Sequence, residues 1–449
     1  MKKYAVVDKT AETQEEPGLT SEKQQDMMIY GDKEQRSKYQ LLLEAETGYG
    51  GNRRMKLSEQ IRDEKEYLVR MRRDFHMHPE LSLQEVRTAR VIEEELERFG
   101  ISHSRIGATG VLGSLQGTGE GSGVVALRAD IDALPLVETN KVQYCSLTEG
   151  VMHACGHDAH TACLLGAAKV LAANRHSFGG EIRFIFQPAE EIGKGAADFI
   201  QAGSMEGAER VFGLHLAPDL PIGTIGVTPG LNNAAVDHFS IEVDGKATHV
   251  STPQLGADAL YAASQIIVAL QGLVARRTSP VEPVIIGVGK FSSGTTYNAV
   301  PGSARMEGTT RTISEEMRMQ IRKWVDEAAE QTAALSGAEA RVIWTGITPA
   351  LINDAQVSAE VKNVAEALGE KVKVITNRPL SLGGDNFAEF QRVVPGCYAY
   401  LGTANPEQEN TLNSLHNGNF DLDEEALVLG ASLYAGYAQW WLTKSKDFN

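Results

Sequence analysis

The sequence predicts an α/β protein in which a mostly parallel sheet with helices on both faces is interrupted by a smaller α+β unit. Three observations support this fold class. Short apolar segments alternate with helical ones up to about residue 235, period-two segments follow, and the first pattern resumes near residue 349. The 449 residues are enough for two or three domains. The predicted bounds are 1–55 for a polar extension, 56–235 and 349–449 for the main domain, and 236–348 for the inserted unit.

The main domain is predicted from buried strands that end in polar residues. Helical periodicity covers 57–71 and 84–99, before the strands begin. Three apolar runs then indicate parallel strands: Val124–Asp130, Glu181–Gln187 and Val211–His215. A helix is predicted between the first two, over Ala162–Ala173. A last helix is predicted over Asp423–Trp441.

The inserted unit has a different pattern. Residues 239–243 alternate with period two, and the order β-α-β-β-α is typical of a compact unit with an antiparallel sheet. Its other predicted elements are a helix over Ala257–Arg276, strands over Val284–Phe291 and Arg305–Thr312, and a helix over 314–335. Residues 1–55 are polar and charged, which favours a loosely ordered extension.

Charge and composition exclude several classes of function. Lys and Arg total 43 against 59 Asp and Glu, so the net charge of −16 argues against a nucleic-acid partner. No apolar run approaches the ~20 residues that span a bilayer, and the first residues lack the apolar core of a secretory signal. We therefore predict a cytoplasmic protein without membrane contact. Four scattered cysteines do not form a disulfide framework, so a thiol is free to bind a metal.

Four short segments concentrate metal-binding side chains. Each has an ordinary structural interpretation, since a lone histidine, a pair of glutamates at a helix start, or a cysteine among small residues is usually not a ligand. Together they offer thiolate, imidazole and carboxylate, which is a coherent set for divalent cations. The segments are 152–160 with Cys155 and His157, 187–191 with Glu190 and Glu191, 213–215 with His215, and 415–417 with His416.

The tandem carboxylates Glu190 and Glu191 suit a division of labour. One can bind a cation while its neighbour takes a proton from a water molecule that the cation acidifies. This predicts hydrolysis rather than redox chemistry or phosphoryl transfer. The sequence has no P-loop, and Gly287-Val288-Gly289 lacks the third glycine of a dinucleotide-binding fingerprint.

These motifs resemble those of the M20 family of metallopeptidases, in its amidohydrolase branch of hippurate hydrolases and auxin–amino-acid conjugate hydrolases. The resemblance runs from about Arg72 to Tyr437 and includes several motifs in the family's order: Pro79-Glu80-Leu81-Ser82, residues 127–135, Cys155-Gly156-His157-Asp158-Ala159-His160, residues 187–191 and Leu415-His416. It implies a catalytic domain with two metal ions, an inserted lid that often dimerises, and hydrolysis of N-acyl amino acids. A homodimer or higher oligomer through the lid is therefore expected.

The resemblance also implies roles for individual residues. The metal ligands it implies are Cys155, His157, Glu191, His215 and His416, binding two divalent ions such as Zn²⁺, Mn²⁺ or Co²⁺. Cys155 is the expected bridge, because a neutral imidazole offers a single lone pair. Glu190 matches the general acid/base, and Asp132 the carboxylate that orients the site. In the lid, His249 matches an oxyanion-stabilising histidine, commonly acting across a dimer interface, and Asn298 and Arg311 match substrate contacts.

The sequence departs from the family pattern at three places. Asp130 stands where M20 enzymes elsewhere have a histidine ligand, so Cys155 and His157 are expected to compensate. In the lid the run is Lys246-Ala247-Thr248-His249-Val250-Ser251, with Gln254 in place of a second histidine, and Asp385-Asn386 replaces a usual Glu-Asp pair. These changes concern the lid and pocket, so they affect substrate identity more than chemistry. His153 and His160 are expected to support the ligands or the fold.

Three alternatives stay open from the sequence. The same machinery would serve a deacetylase of N-acetyl amino acids or N-acetyldiaminopimelate. A dipeptidase or carboxypeptidase would prefer a substrate with a free α-amino group. A catalytically silent metal-binding scaffold would keep the fold without turnover, but the complete set of candidate ligands argues against it.

Overall fold

The computed structural model describes residues 57–443. The predicted polar extension, residues 1–55, lies outside the described residues. The first part of the described chain alternates helices and strands: α1 (Lys65–Met77), α2 (Val86–Arg98), β1 (Ser102–Ile106), β2 (Gly110–Gln116), β3 (Val124–Asp130), α3 (His157–Ala173), β4 (Glu181–Gln187), α4 (Ala196–Gln201), β5 (Arg210–Pro221), β6 (Thr224–Gly226) and β7 (Gly230–Asn233).

The middle of the chain contributes a second set of elements, and the last part returns to the first sheet. The second set is β8 (Ala235–Asp244), β9 (Thr248–His249), α5 (Ala259–Arg277), β10 (Ile285–Ser293), β11 (Ala299–Val300), β12 (Ser303–Thr312), α6 (Glu315–Leu335) and β13 (Glu339–Thr348). The last part is β14 (Leu351–Asn353), α7 (Ala355–Ala367), β15 (Lys373–Ile375), α8 (Phe387–Gln391), β16 (Gly396–Ala404) and α9 (Glu425–Thr443).

The larger sheet has eight strands in the order β1-β2-β4-β3-β5-β16-β6-β15. Its centre, β4-β3-β5-β16, is parallel, whereas β1 and β2 at one edge pair antiparallel. Each face carries its own apolar core, because Leu127 and Phe184 point to one side and Ala126 and Ile185 to the other. Helices α3 and α9 pack on the first face, and α4 and α8 supply Phe199 and Phe387 to the second. The predicted fold class is confirmed.

Helix α3 begins five residues earlier than predicted. Its first residues are the polar run His157-Asp158-Ala159-His160-Thr161, which interrupts the apolar pattern. All five are buried, because they face polar groups of the sheet edge rather than solvent. Gly156 precedes the helix with φ +83°, and a Cβ there would lie 2.4 Å from a methyl carbon of Leu216, so both backbone angle and space favour glycine.

The second sheet has four antiparallel strands in the order β10-β12-β8-β13. Helices α5 and α6 cover one face, and Phe239, Ile241, Ile266 and Val325 lie in the core between them. Strand β13 was missing from the predicted elements. The sequence pattern that indicates this strand is weak, because few of its residues are buried. Ala340, Val342 and Trp344 nevertheless occupy alternate positions and pack against the core.

Helix α5 bears on the prediction that the protein makes no membrane contact. It is 19 residues long with mean hydropathy 1.3, so by length and composition it is long and apolar enough to cross a membrane. Its residues Ala262, Ile266 and Leu270 are fully buried against the four-stranded sheet, which is also expected of the core helix of a water-soluble domain. The finding is weak evidence for a membrane span, and the cytoplasmic location stays a prediction.

A buried ionic cluster joins α1 to α3. Arg72 is fully buried and donates to Asp158 at 2.9 Å and to Asp421 at 2.8 Å. The ring of His76 lies between two carboxylates, with Nδ1 2.7 Å from Asp158 and Nε2 3.2 Å from Glu138. Burial and Arg72 lower the pKa of His76, but the two carboxylates outweigh them and raise it overall. This environment favours the imidazolium form of His76, in which both nitrogens can donate.

This arrangement predicts a pH-dependent stability contribution. Because the pKa of His76 is raised by folding, its contribution is fully present below its unfolded pKa of ~6.5 and is lost as pH rises through the folded pKa. The free energy of unfolding of wild type minus that of His76→Gln, measured by urea titration between about pH 5 and pH 9, should therefore shrink toward the alkaline end. The exposed residue His103, replaced by glutamine, is the control. A difference that grows with pH would contradict the prediction.

Candidate metal centre

The candidate residues meet at one edge of the larger sheet. Strands β4, β3 and β5 are parallel neighbours, so the residues that follow their carboxyl ends lie side by side. Asp132 follows β3 and Glu190 and Glu191 follow β4. His215 was predicted to end its strand, but β5 continues to Pro221. Its pairing with β3 stops at Gly213, so His215 still lies beyond the end of that neighbour.

Two sets of three donor atoms share the sulfur of Cys155. Atoms of Cys155, His157 and His215 lie within 4.8 Å of one another, and so do atoms of Cys155, Glu191 and His416. The sulfur is 3.5 Å from Nε2 of His215, and Nε2 of His416 is 3.4 Å from Oε1 of Glu191. The structure thus brings together all five predicted ligands.

The imidazoles are oriented so that Nε2 faces this cluster. Nδ1 of His157 donates to the carbonyl oxygen of Asp132 at 3.0 Å, and Nδ1 of His215 donates to the carbonyl oxygen of Leu216 at 2.8 Å. Among the described residues, Nε2 of His157 and Oε1 of Glu191 are buried without a hydrogen-bond partner. Unpartnered buried lone pairs are costly, and a cation would satisfy both.

The donor chemistry also fits cations. Burial and the nearby Glu191 carboxylate raise the pKa of the Cys155 thiol well above its ordinary value. A nearby cation would offset both effects and favour the thiolate, which is the form of cysteine that coordinates metals. Thiolate, imidazole and carboxylate together suit zinc or a neighbouring first-row divalent ion.

A third group of possible ligands, Asp130, His157 and His160, is better explained by hydrogen bonding. Nδ1 of His160 donates to Oδ1 of Asp130 at 2.6 Å, and its Nε2 accepts the Leu216 backbone N–H at 3.0 Å. Both ring nitrogens are thus used. Oδ2 of Asp130 accepts from Arg128 at 2.6 Å, which leaves the carboxylate fully engaged. His160 anchors the backbone next to His215 and offers no lone pair to a metal.

Asp132 organises the loop that carries the two glutamates. Ala189 adopts φ +57°, and Glu190–Ile192 then form a single 3₁₀ turn. Oδ1 of Asp132 accepts the Glu190 N–H at 3.1 Å, and Oδ2 accepts the Glu191 N–H at 3.1 Å and the Ser82 hydroxyl at 2.7 Å. Asp132 is buried and its lone pairs are occupied. Its geometry therefore suits a positioning residue, and it makes no contact with the cavity.

Glu190 is held beside the ligands by a backbone donor. Its Oε1 accepts the Asn386 N–H at 3.3 Å. Burial, and then the carboxylates of Asp385 and Glu191, raise its pKa well above the ordinary value in the metal-free protein. The arrangement gives a carboxylate that can accept and return a proton next to the donor cluster.

Sequence reasoning missed the polar layer beneath Glu190. Arg128 is fully buried and donates to Gln187 at 2.9 Å, to Asp130, and to the side-chain oxygen of Asn386 at 3.1 Å. The Asn386 side-chain amide nitrogen donates to the Lys194 carbonyl oxygen at 2.6 Å, so this residue ties the glutamate loop to the sheet. The available signal was an arginine within an otherwise apolar strand, which requires buried partners.

His416 projects from an irregular loop. Its φ is +59°, in the left-handed region, and its backbone N–H donates to the Ala154 carbonyl oxygen at 2.8 Å. This bond fixes the loop beside the segment that carries Cys155. The side chain is 54% exposed, which makes His416 the most accessible member of the donor cluster.

A cavity of about 610 Å³ opens over the cluster. The predicted residues that line it are Cys155, Glu190, Glu191, His215, His416 and Arg311. His249 and Asn298 do not line it: they lie on and next to the short β9–β11 pair, with their side chains exposed. Sequence reasoning missed Arg378 and Tyr400 in the cavity wall.

An α/β sheet whose carboxyl edge collects thiol, imidazole and carboxylate donors is typical of metal-dependent hydrolases. The chain matches the family model described as Peptidase family M20/M25/M40 over residues 126–440. It therefore belongs to that family, as the resemblance implied.

Similar proteins support the amidohydrolase branch. An N-acetylcysteine deacetylase of Bacillus subtilis is 39% identical over 83% of this chain and 96% of its own length. A thermostable carboxypeptidase of Saccharolobus solfataricus is 37% identical over 85% of this chain and 96% of its own. A crystal structure from Bacillus subtilis, described as a dinuclear metal-binding peptidase of the M20 family, superposes with a TM-score of 0.72. That structure is 37% identical and covers 85% of this chain and 99% of its own.

Proposed function

We propose that the protein hydrolyses the amide bond of N-acyl amino acids. The observation that carries this proposal is the clustering of the five donor residues, four of which line one cavity together with the Glu190 carboxylate. The similarity to an N-acetylcysteine deacetylase supports the substrate class, and the similarity to a dinuclear M20 peptidase supports two metal ions.

Cys155, His157 and His215 would hold one ion, and Cys155, Glu191 and His416 would hold the other. When bound, two divalent cations supply Lewis acidity, which acidifies water and polarises a carbonyl group. This donor set suits Zn²⁺, Mn²⁺ and Co²⁺.

Glu190 would act as the general base and then as the general acid. Its carboxylate removes a proton from the attacking water and returns it to the nitrogen of the leaving amino acid. The Asn386 N–H holds one oxygen of Glu190 in place, which leaves the other for the proton. Asp132 fixes the backbone of the same loop.

Residues 236–348 would form a lid that completes the site. Nδ1 of His249 accepts the Ser251 N–H at 3.1 Å, so in the neutral ring Nε2 carries the proton and can donate to an oxyanion. Because His249 and Asn298 do not line the cavity of their own chain, they would act on the cavity of a second copy. Arg311 does line the cavity and would bind the substrate carboxylate.

Light scattering on the purified chain tests the dimer. We expect a homodimer or higher oligomer, together with a His249→Ala variant of low kcat in the same oligomeric state. A strict monomer with rapid turnover would show that His249 does not act from a second copy.

A turnover panel tests the substrate class. Acetyl-, benzoyl-, indoleacetyl- and long-chain-acyl amino acids should be assayed with Mn²⁺, Co²⁺ and Zn²⁺ supplied separately to the metal-free protein. We expect release of a free amino acid with at least one acyl group. Acetylated amino acids alone would identify the deacetylase alternative. Preference for substrates with a free α-amino group would identify the peptidase alternative, which the similarity to a carboxypeptidase favours. A loaded protein that cleaves none of them would be a scaffold.

A further inference from the structure

The cavity next to the donor cluster is also lined by two arginines, Arg311 and Arg378. Nε of Arg311 donates to the Leu382 carbonyl oxygen at 2.9 Å, and Nη1 donates to Thr309 and to the Thr310 carbonyl oxygen. Among the described residues no carboxylate pairs with Arg311, so its charge is left for a ligand. Arg311 can therefore bind one carboxylate of the substrate.

Arg378 is a second cation, and it is rigidly placed. Its guanidinium carbon lies 3.9 Å from the centroid of the Tyr400 ring, and the Tyr400 hydroxyl donates to Asn233. The backbone N–H of Arg378 donates to the Thr228 hydroxyl oxygen at 2.9 Å. Stacking on a buried aromatic ring and a fixed backbone hold the guanidinium in one orientation toward the cavity.

The partner of Arg378 is held much less firmly. Nη2 donates to both oxygens of Asp219, at 2.7 and 2.9 Å, but the Asp219 side chain is 62% exposed, against 18% for Arg378. Exposed ion pairs contribute little, because water competes for both charges. A ligand carboxylate can therefore displace Asp219, or can share Arg378 through Nε and Nη1, for which the described residues provide no acceptor.

On the basis of the proposed function, we propose that this cavity selects N-acyl amino acids with an acidic side chain, aspartate or glutamate. Arg311 binds one carboxylate and Arg378 the other. In the Arg378–Asp219 pair the arginine is held in place and the aspartate is not, so this part of the cavity is suited to bind an anion. A lysine-like side chain at this position would instead meet Arg378 itself, and the neighbouring carboxylate of Asp219 is largely exposed to water.

The test compares N-acetylglutamate with N-acetylglutamine, which differ by one charge at nearly constant shape. We measure kcat/KM for both with the metal-loaded full chain, and N-acetyllysine is included as the cationic comparison. We expect wild type to prefer glutamate over glutamine by about tenfold or more, as is usual for a charge-assisted hydrogen bond in a partly desolvated site.

Two variants locate the selectivity. Arg378→Met keeps a long apolar side chain over Tyr400 and should lower the glutamate/glutamine ratio by about tenfold. Asp219→Asn removes the competing carboxylate from an exposed position and should raise the ratio. Arg392→Met is the matched control, because Arg392 is 57% exposed and does not line the cavity. Its ratio should equal that of wild type.

Several outcomes would overturn the inference. A wild-type preference for glutamine or lysine would do so, and so would a ratio that Arg378→Met leaves unchanged. If Arg378→Met does not fold, a lower ratio in Asp219→Asn would refute the subsite. Cleavage of neutral N-acetyl amino acids without preference for glutamate refutes this inference and leaves the proposed function standing. Failure to cleave any N-acyl amino acid refutes both.

Discussion

Replacing Glu190 by glutamine is expected to lower kcat by about 10²–10⁴-fold while the metal content stays at the wild-type level. The factor is that of losing a general acid/base catalyst. Glutamine keeps an oxygen that accepts the Asn386 N–H, so the side chain can retain its position while it loses the ability to take a proton. Steady-state kinetics and metal analysis of the same protein samples provide the two readouts.

The neighbouring residue is the matched control. Glu191→Gln replaces a carboxylate whose Oε1 is buried near His157 and His416 and has no hydrogen-bond partner within residues 57–443. We expect this variant to lose metal, and to regain part of its activity at high metal concentration, which Glu190→Gln should not do. A Glu190→Gln protein with wild-type kcat would show that another group moves the proton.

The sequence predicted the residues of the donor cluster because their segments were expected at strand ends or in loops, where side chains at a common sheet edge meet. The structure places His157 at the start of α3 and His215 within β5, but both still lie at that edge. Cys155 and His157 flank a glycine that the backbone requires, and Glu190 and Glu191 follow directly on a strand. Local patterns of this kind can be recognised in each segment separately. The resemblance to M20 enzymes then indicated that the segments belong to one site.

The polar layer beneath the cluster could not be predicted in this way. Arg128 and Asn386 are 258 residues apart, and their hydrogen bond depends on how the sheet places β3 beside the loop before α8. Likewise the stacking of Arg378 on Tyr400 joins a loop to strand β16. The apolar strand around Arg128 indicates that this arginine needs buried partners, but the tertiary fold decides which residues those partners are, as it does for Arg378.

Replacing Arg128 by methionine is expected to lower the free energy of unfolding by about 3–5 kcal/mol, which is typical when one partner of a buried ion pair is removed. Arg128 is fully buried, and its Nη1 donates to Asp130 at 2.6 Å while Nη2 lies 3.4 Å from Asp385. Methionine fills much of the same volume, so the cost comes from two carboxylates left without a cation rather than from a cavity. Denaturant titration with metal-free protein measures the loss without a contribution from bound ions.

The pH dependence and a surface control separate this cause from a general loss of packing. Burial raises the pKa of Asp130, but His157 and Arg128 together hold it well below its ordinary value. Without Arg128 this pKa would rise, so the deficit should be largest at neutral pH and should shrink as pH falls and Asp130 becomes protonated. Arg305→Met, on the second sheet, removes an arginine that is 55% exposed and pairs with Glu242 and Glu307. Its effect should be about 0–1 kcal/mol. A loss of free energy of unfolding for Arg128→Met that is equally small, or that does not change with pH, would show that the carboxylates find other donors. The polar layer would then position the glutamate loop without stabilising the fold.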